Sequence, residues 1–391
     1  MSKEQKKLIF GGLLMIFAYG LSNNIVAYYI TPVTQSMGFT RAAFNFSFTL
    51  MSIVSFLIAP FYGYLFMKIP VRRIVFAGAL IGSICYLGYA MCRSLFMFYA
   101  VGILQGMVQS GTTNMAVVVL IQRFFDEQKS GTATGIIMAG TGVCSMVMSS
   151  FLPQFIEHYG WSVGYLLCGV LWATVMLIAV GLIREYPQEK NKQKTGRKEE
   201  EGVTYHQAVC CGGFYILLVC ILFFNVVMVC SQHLPSYFRD MGMDNHGISQ
   251  IMMLFSLGLI MWKIILGKLY DCLGAIKATM IAYVSFIVGM WMLAVGSELA
   301  LAAGSLIAAL GIASSTVLTP LLTKKIFGGK EYAPIWSLVS MSTAFGVAIR
   351  SPAWGSFYDC FGSYRPAFLG APIFLAAALC MFLMLLHKRY Y

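Results

Sequence analysis

The stretch GKLYDCLG (Gly267–Gly274) recurs 88 residues later as GSFYDCFG (Gly355–Gly362), and both have the form G-x-x-x-D-C-x-G. EHYG, ending at Gly160, preserves the acid and the closing glycine, while GYLFMKIP, starting at Gly63, preserves only the leading glycine. The acidic position thus recurs at Met67, Glu157, Asp271 and Asp359, with spacings of 90, 114 and 88 residues. A period near 90 residues has the length of three membrane helices with their loops, so the chain reads as four three-helix units. Because three is odd, successive units cross the membrane in opposite directions, which is the inverted-repeat logic of secondary transporters.

Composition supports that reading. The 391 residues are 59% hydrophobic and 11% charged, with a mean hydropathy of +0.77, as expected of an all-α membrane protein with many spans. Twelve apolar stretches long enough to cross a ~30 Å hydrocarbon layer are expected near 8–30, 44–67, 74–92, 95–121, 131–153, 162–183, 210–234, 248–269, 275–296, 299–322, 332–357 and 366–387. The predicted organisation is a six-helix bundle over 1–183, a cytoplasmic linker over 184–209 rich in Lys and Glu, and a second six-helix bundle over 210–391. Of the 27 Lys and Arg, 21 fall on the side of the N-terminus and four on the other, namely Arg41, Arg93, Arg239 and Arg365. The positive-inside rule therefore predicts cytoplasmic N- and C-termini in the cell membrane. The net charge of +12 reflects that topology and an anionic inner leaflet, not a nucleic-acid partner. MSKEQKK and the apolar run behind it lack a small-residue cleavage site, which predicts a retained first helix. The eleven cysteines contain no C-x-x-C pair and read as small apolar residues.

Two cations remain, and both lie inside spans. Lys263 precedes Asp271 by eight residues and Arg350 precedes Asp359 by nine. At about 1.5 Å per residue each sits roughly 12–14 Å inside the end of its helix, near the middle of the layer. A cation there costs at least ~2.5–3.5 kcal/mol and persists where it faces a cavity or a partner. The sequence places no acidic residue at comparable depth. An anion that comes and goes is the simplest partner: Arg350 offers a planar fork for a carboxylate and Lys263 a compact point charge. Gln105 and Gln109 share a helix face, as do Asn24 and Tyr28, and all four are candidate substrate contacts. Interhelical hydrogen bonding is the competing role for each of them.

The twelve spans, the split into two halves and the loop Gly267–Gly274 resemble the major facilitator superfamily. The first-half loop, with Gly63, Arg72 and Arg73, departs from that pattern by carrying Met67 in place of the acid. The glycine-rich stretch GTATGIIMAGTG, starting at Gly131, is similar to the family's gating helix. The spacing of Lys263, Gly267 and Asp271, the cation at Arg350, the run from Gln35 to Arg41, and Gly160–Trp161 resemble the oxalate:formate antiporter and monocarboxylate porter branch. That resemblance implies a major facilitator fold, gating by Gly267, Asp271, Gly274, Gly63, Arg72 and Arg73, and a small organic anion as substrate. Proton-coupled porters of this resemblance carry an acid one turn before the cation on the eighth span, where this chain has Leu259. Anion exchange by a chain that functions as a monomer is therefore the expectation. A facilitator-fold exporter of amphipathic drugs and a non-transporting sensor stay open beside it. No Walker sequence or metal-ligand cluster is legible, so neither a cofactor nor enzyme chemistry is expected.

Overall fold

In the computed structural model the described residues are 2–183, 202–228 and 230–387, and they form fifteen helices. The first predicted span divides into α1 (Lys3–Asn23) and α2 (Val26–Met37), followed by α3 (Arg41–Lys68) and α4 (Val71–Met91). The fourth divides at Thr113 into α5 (Leu95–Thr112) and α6 (Asn114–Phe124). The fifth divides at Ala139 into α7 (Glu127–Met138) and α8 (Gly140–Leu182), which runs on into the sixth. A short α9 (Tyr205–Cys210) leads to α10 (Gly212–Met228) and α11 (Cys230–Asp240). The chain ends with α12 (Asn245–Val295), α13 (Glu298–Phe327), α14 (Tyr332–Phe361) and α15 (Arg365–His387).

Side chains suited to helix N-termini begin several of these helices. Ser2, Thr40, Ser94, Thr204, Asp244 and Ser297 each cap a helix N-terminus by accepting a backbone N–H, and Ser2 and Thr204 form full capping boxes. Arginines serve several C-terminal ends, where unpaired carbonyls and the negative pole of the helix favour a cation. Arg72 donates from Nε to the Val180 carbonyl at 3.1 Å, and Arg365 from Nε to that of Ala294 at 2.8 Å. Arg123 donates to the Phe66 carbonyl at 2.6 Å.

The sequence repeat has a backbone meaning. Its closing glycine adopts positive φ at Gly160 (85°), Gly274 (82°) and Gly362 (66°), a region closed to most side chains. Gly160 and Gly274 are the breaks at which the long helices α8 and α12 each turn from one predicted span into the next. The divergent first copy turns instead at Pro70, whose extended backbone caps α4. With those two breaks, each of the twelve predicted spans has a helical counterpart. Eight helical stretches of the described residues meet the length and hydropathy of a membrane crossing, two of them the double-length 128–182 and 246–295.

Two predicted ends fall short of the helices. The first span was expected to stop near residue 30 and the seventh near 234, yet α2 reaches Met37 and α11 reaches Asp240. Hydropathy ends where polar side chains begin, whereas the helix continues until glycine reverses the chain, at Gly38 (φ 71°) and Gly242 (φ 84°).

Two compact units emerge. One contains the described residues within Met1–Phe125, Ile136–Glu200 and Trp336–Met341; the other contains those within Asp126–Gly135, Glu201–Ile335 and Ser342–Tyr391. In the second unit, Tyr237 donates to the Leu293 carbonyl at 2.8 Å, Trp262 to that of Leu306 at 2.9 Å, and Trp354 to that of Val226 at 3.0 Å. Most of the predicted linker, 184–201, lies outside the described residues. Its last part is tied down: Gly202 pairs with Gly328 in an isolated antiparallel bridge, and the Tyr205 N–H donates to Glu331 at 2.6 Å.

Candidate transport site

Lys263 lies on α12 with only 6% of its surface exposed. The backbone beside it is crossed by α7 at unusually short range. A Cβ added to Gly135 would overlap the Lys263 carbonyl oxygen, and Cβ atoms at Gly131 and Gly267 would each overlap the other glycine's carbonyl. Only glycine on both helices permits that approach. One turn beyond Gly267, the half-buried Asp271 fastens the crossing. The Gly131 N–H donates to its Oδ1 at 2.8 Å, and Thr132 donates to its Oδ2 from the backbone at 2.7 Å and from Oγ1 at 2.5 Å. The carboxylate thereby meets the N-terminal part of α7, where the helix dipole favours negative charge. Lys263, Gly131, Gly135, Gly267 and Asp271 all belong to the second unit.

The first unit gathers the neutral candidates. Asn24, at the break between α1 and α2, donates to Ser145 Oγ at 2.7 Å and to the Thr141 carbonyl at 3.2 Å, both on α8. Tyr28 is half-buried with the Ser149 side chain beside it. Gln105 is buried and spends an amide N–H on Ser22 Oγ at 2.9 Å; Ser22 in turn pairs with the Tyr86 hydroxyl at 3.2 Å. Gln109 is buried one turn before the break at Thr113, and its Oε1 has no protein partner. Spans one and four are thus discontinuous close to their candidate residues, as binding helices of transporters are.

Of the remaining sequence candidates, Gly63 is buried within α3 and Arg73 is exposed near the start of α4. Arg350 lies on α14, and its side chain, like that of Asp359, falls outside the described residues. Beyond these candidates, His233 shares a hydrogen bond at Nδ1 with the Tyr364 hydroxyl at 3.1 Å and stacks near Trp354.

The sequence model of the Major Facilitator Superfamily matches residues 12–323 and 239–390. The chain belongs to that superfamily. Among relatives, the sialic acid transporter NanX of Escherichia coli (strain K12) is 22% identical over 287 residues, covering 72% of this chain and 69% of its own length. Monocarboxylate transporter 13 of Rattus norvegicus is 23% identical over 336 residues, covering 82% of this chain and 74% of its own. The solved structure of the proton:xylose symporter XylE bound to 6-bromo-6-deoxy-D-glucose superposes with a TM-score of 0.78 at 13% identity, covering 98% of this chain and 95% of that one. At that identity the likeness concerns the fold, and the fold is the all-α major facilitator fold.

Within this facilitator the contacts that single-sequence reading missed are those between helices. Thr132 was part of the glycine-rich stretch, but nothing in the sequence pairs it with a carboxylate 139 residues away. Ser145, Ser149, Ser22 and Tyr86 were equally anonymous, being ordinary small or aromatic residues of apolar spans.

Proposed function

We propose that this facilitator carries small organic anions, mono- or dicarboxylates, by alternating access, and that it works by exchanging one anion for another. The observation that carries the reading is the burial of Lys263 at mid-span on α12, at the glycine crossing that Asp271 fastens. A cation is costly at that depth and favours an anionic ligand. Arg350 supplies the second charge, and Gln109, Asn24 and Tyr28 supply neutral donors that orient the substrate. Gln105 contributes by holding α1 against α5 through Ser22. The names of two relatives, one a sialic acid transporter and one a monocarboxylate transporter, agree with an organic acid as cargo. The residues 1–183 and 210–391 act as the two rocking bundles, and 184–209 joins them. Gly267, Asp271 and Gly274, with Gly63, Arg72 and Arg73 in the first half, form the gate: the crossing of α7 and α12 parts in one half of the cycle and reforms in the other. The site of action is the cell membrane, the termini are cytoplasmic, and one chain suffices.

Proteoliposome uptake of labelled short carboxylates, with and without unlabelled carboxylate inside, tests the proposal. Lys263→Ala and Arg350→Ala are each expected to lose uptake that the internal anion stimulates, by roughly 30-fold or more, the scale of losing one member of a hydrogen-bonded charge pair. Wild-type uptake in both variants sinks the site assignment. Uptake that ignores the internal anion removes the exchange mechanism and leaves the site.

A further inference from the structure

We infer that the first unit holds a buried water molecule in a tyrosine-lined cavity, and that this water completes the hydrogen bonding of Gln105. Ser22, Tyr29, Tyr86, Tyr89, Gln105 and Tyr165 line a cavity of about 20 Å³. Three of these lining residues each carry a buried polar atom with no protein partner: the hydroxyls of Tyr89 and Tyr165 and Oε1 of Gln105. Their residues are 3%, 4% and 1% exposed, so bulk solvent does not serve them. The other polar atoms of the wall are satisfied within the unit, through Ser22 with Tyr86 and Gln105 and through the Tyr29 hydroxyl with Cys168 Sγ at 3.2 Å.

Size and chemistry select the occupant. A water needs roughly 10–15 Å³ and two to four polar partners, and even the smallest carboxylate needs several times that volume. A carboxylate would also meet the Gln105 carbonyl oxygen, an acceptor facing an acceptor. Water donates one hydrogen to Gln105 Oε1 and exchanges its remaining donor and acceptor capacity with the two phenols, each of which gives or takes a hydrogen bond. Leaving three buried polar atoms unserved would cost about 1–3 kcal/mol apiece, well above the ~0–2 kcal/mol of immobilising one water. The aromatic walls are fixed by stacking: Tyr29 on Tyr165 at 3.9 Å between ring centres, and Tyr89 on Tyr165 at 5.1 Å. The site joins α1, α2, α4, α5 and α8, and it fixes which end of the Gln105 amide faces Ser22.

Radiolytic hydroxyl labelling of the full chain in nanodiscs, read by mass spectrometry, tests the inference, because bound water is the local source of hydroxyl radicals. Tyr89 and Tyr165 are expected to label at least fivefold faster than Tyr283, a tyrosine equally buried in the second unit. Rates as low as that of Tyr283 overturn the inference. Replacing the acceptor by Gln105→Leu, alone or with Tyr89→Phe, is expected to reduce Tyr165 labelling severalfold. Undiminished labelling in a folded variant would mean entry of bulk solvent and also overturns it. If the double variant does not fold, Tyr89→Phe alone gives the same comparison.

Discussion

The two units treat polarity at membrane depth in opposite ways. In the first, Gln105, Ser22 and Tyr86 come from three helices and satisfy one another, and no member carries a formal charge. In the second, Lys263 brings a cation into the interior of the eighth span on α12, and the neighbouring helix approaches through glycines that leave backbone against backbone. The repeat sharpens the contrast. Counting back eight residues from its acidic position gives Ala59 and Ser149 in the first half but Lys263 in the second, and nine back from Asp359 gives Arg350. Both cations belong to one half, and the corresponding positions of the other half are neutral. The first unit is built as a stable wall and the second carries the charge and the latch.

The largest expected effect breaks the contrast at the glycine crossing. Gly135→Val places a branched side chain where the Lys263 carbonyl already stands, and backbone cannot yield as a side-chain tip can. Overpacking of this kind costs about 1–3 kcal/mol or more, so a fall of many degrees in the melting temperature is expected in detergent. Gly181→Ala, which meets no neighbouring atom, is the control and should melt within a degree or two of the wild type. Equal melting of the two variants would show that the crossing opens freely and that its glycines are dispensable.

A smaller effect is expected at the latch. Asp271→Ala removes three charge-assisted hydrogen bonds to Gly131 and Thr132. A loss of about 2 kcal/mol is expected, since the freed amides of α7 recover part of their bonding from water. Asp271→Asn keeps an acceptor and is expected to lose less than half of that. Transport should fall in the same order if the latch is the gate. Stability lost without any change in the transport rate would reduce Asp271 to a structural brace.

How much of this was legible beforehand depends on whether a feature is local. The twelve spans follow from hydropathy, and the turns at Gly160, Gly274 and Gly362 follow from a glycine that recurs at a fixed position. Lys263 stood out because a charge in an apolar run is visible in one dimension. Its contact with Gly135 was not, because the two residues lie 128 positions apart and glycine carries no mark of what it approaches. Gln105 shows the limit most clearly. Its spacing from Gln109 predicted a shared donor face, yet one amide donor is already engaged by Ser22, and only the fold reveals that partner. The helix breaks at Asn24 and Thr113 escaped notice for a related reason, since no proline or conspicuous motif occupies those positions, and the glycine-rich stretch around Ala139 read as one continuous helix.

The smallest expected effect measures how the first unit is held. Ser22→Ala and Tyr86→Phe each delete one hydroxyl from the chain Gln105–Ser22–Tyr86, and a double-mutant cycle isolates their coupling. Hydrogen bonds between membrane helices average about 0.6 kcal/mol, because the separated helices find other partners. Ser22 engages two residues at once, so its single substitution should cost more than that of Tyr86 and leave the Gln105 amide unserved. A coupling of about 0.5–1 kcal/mol, with transport still running in both single variants, fits a neutral network that fixes the wall without contacting the substrate. A coupling near zero would mean the three residues are merely adjacent. Abolished transport in a stable Tyr86→Phe variant would place this network on the substrate path and erase the division between wall and charge.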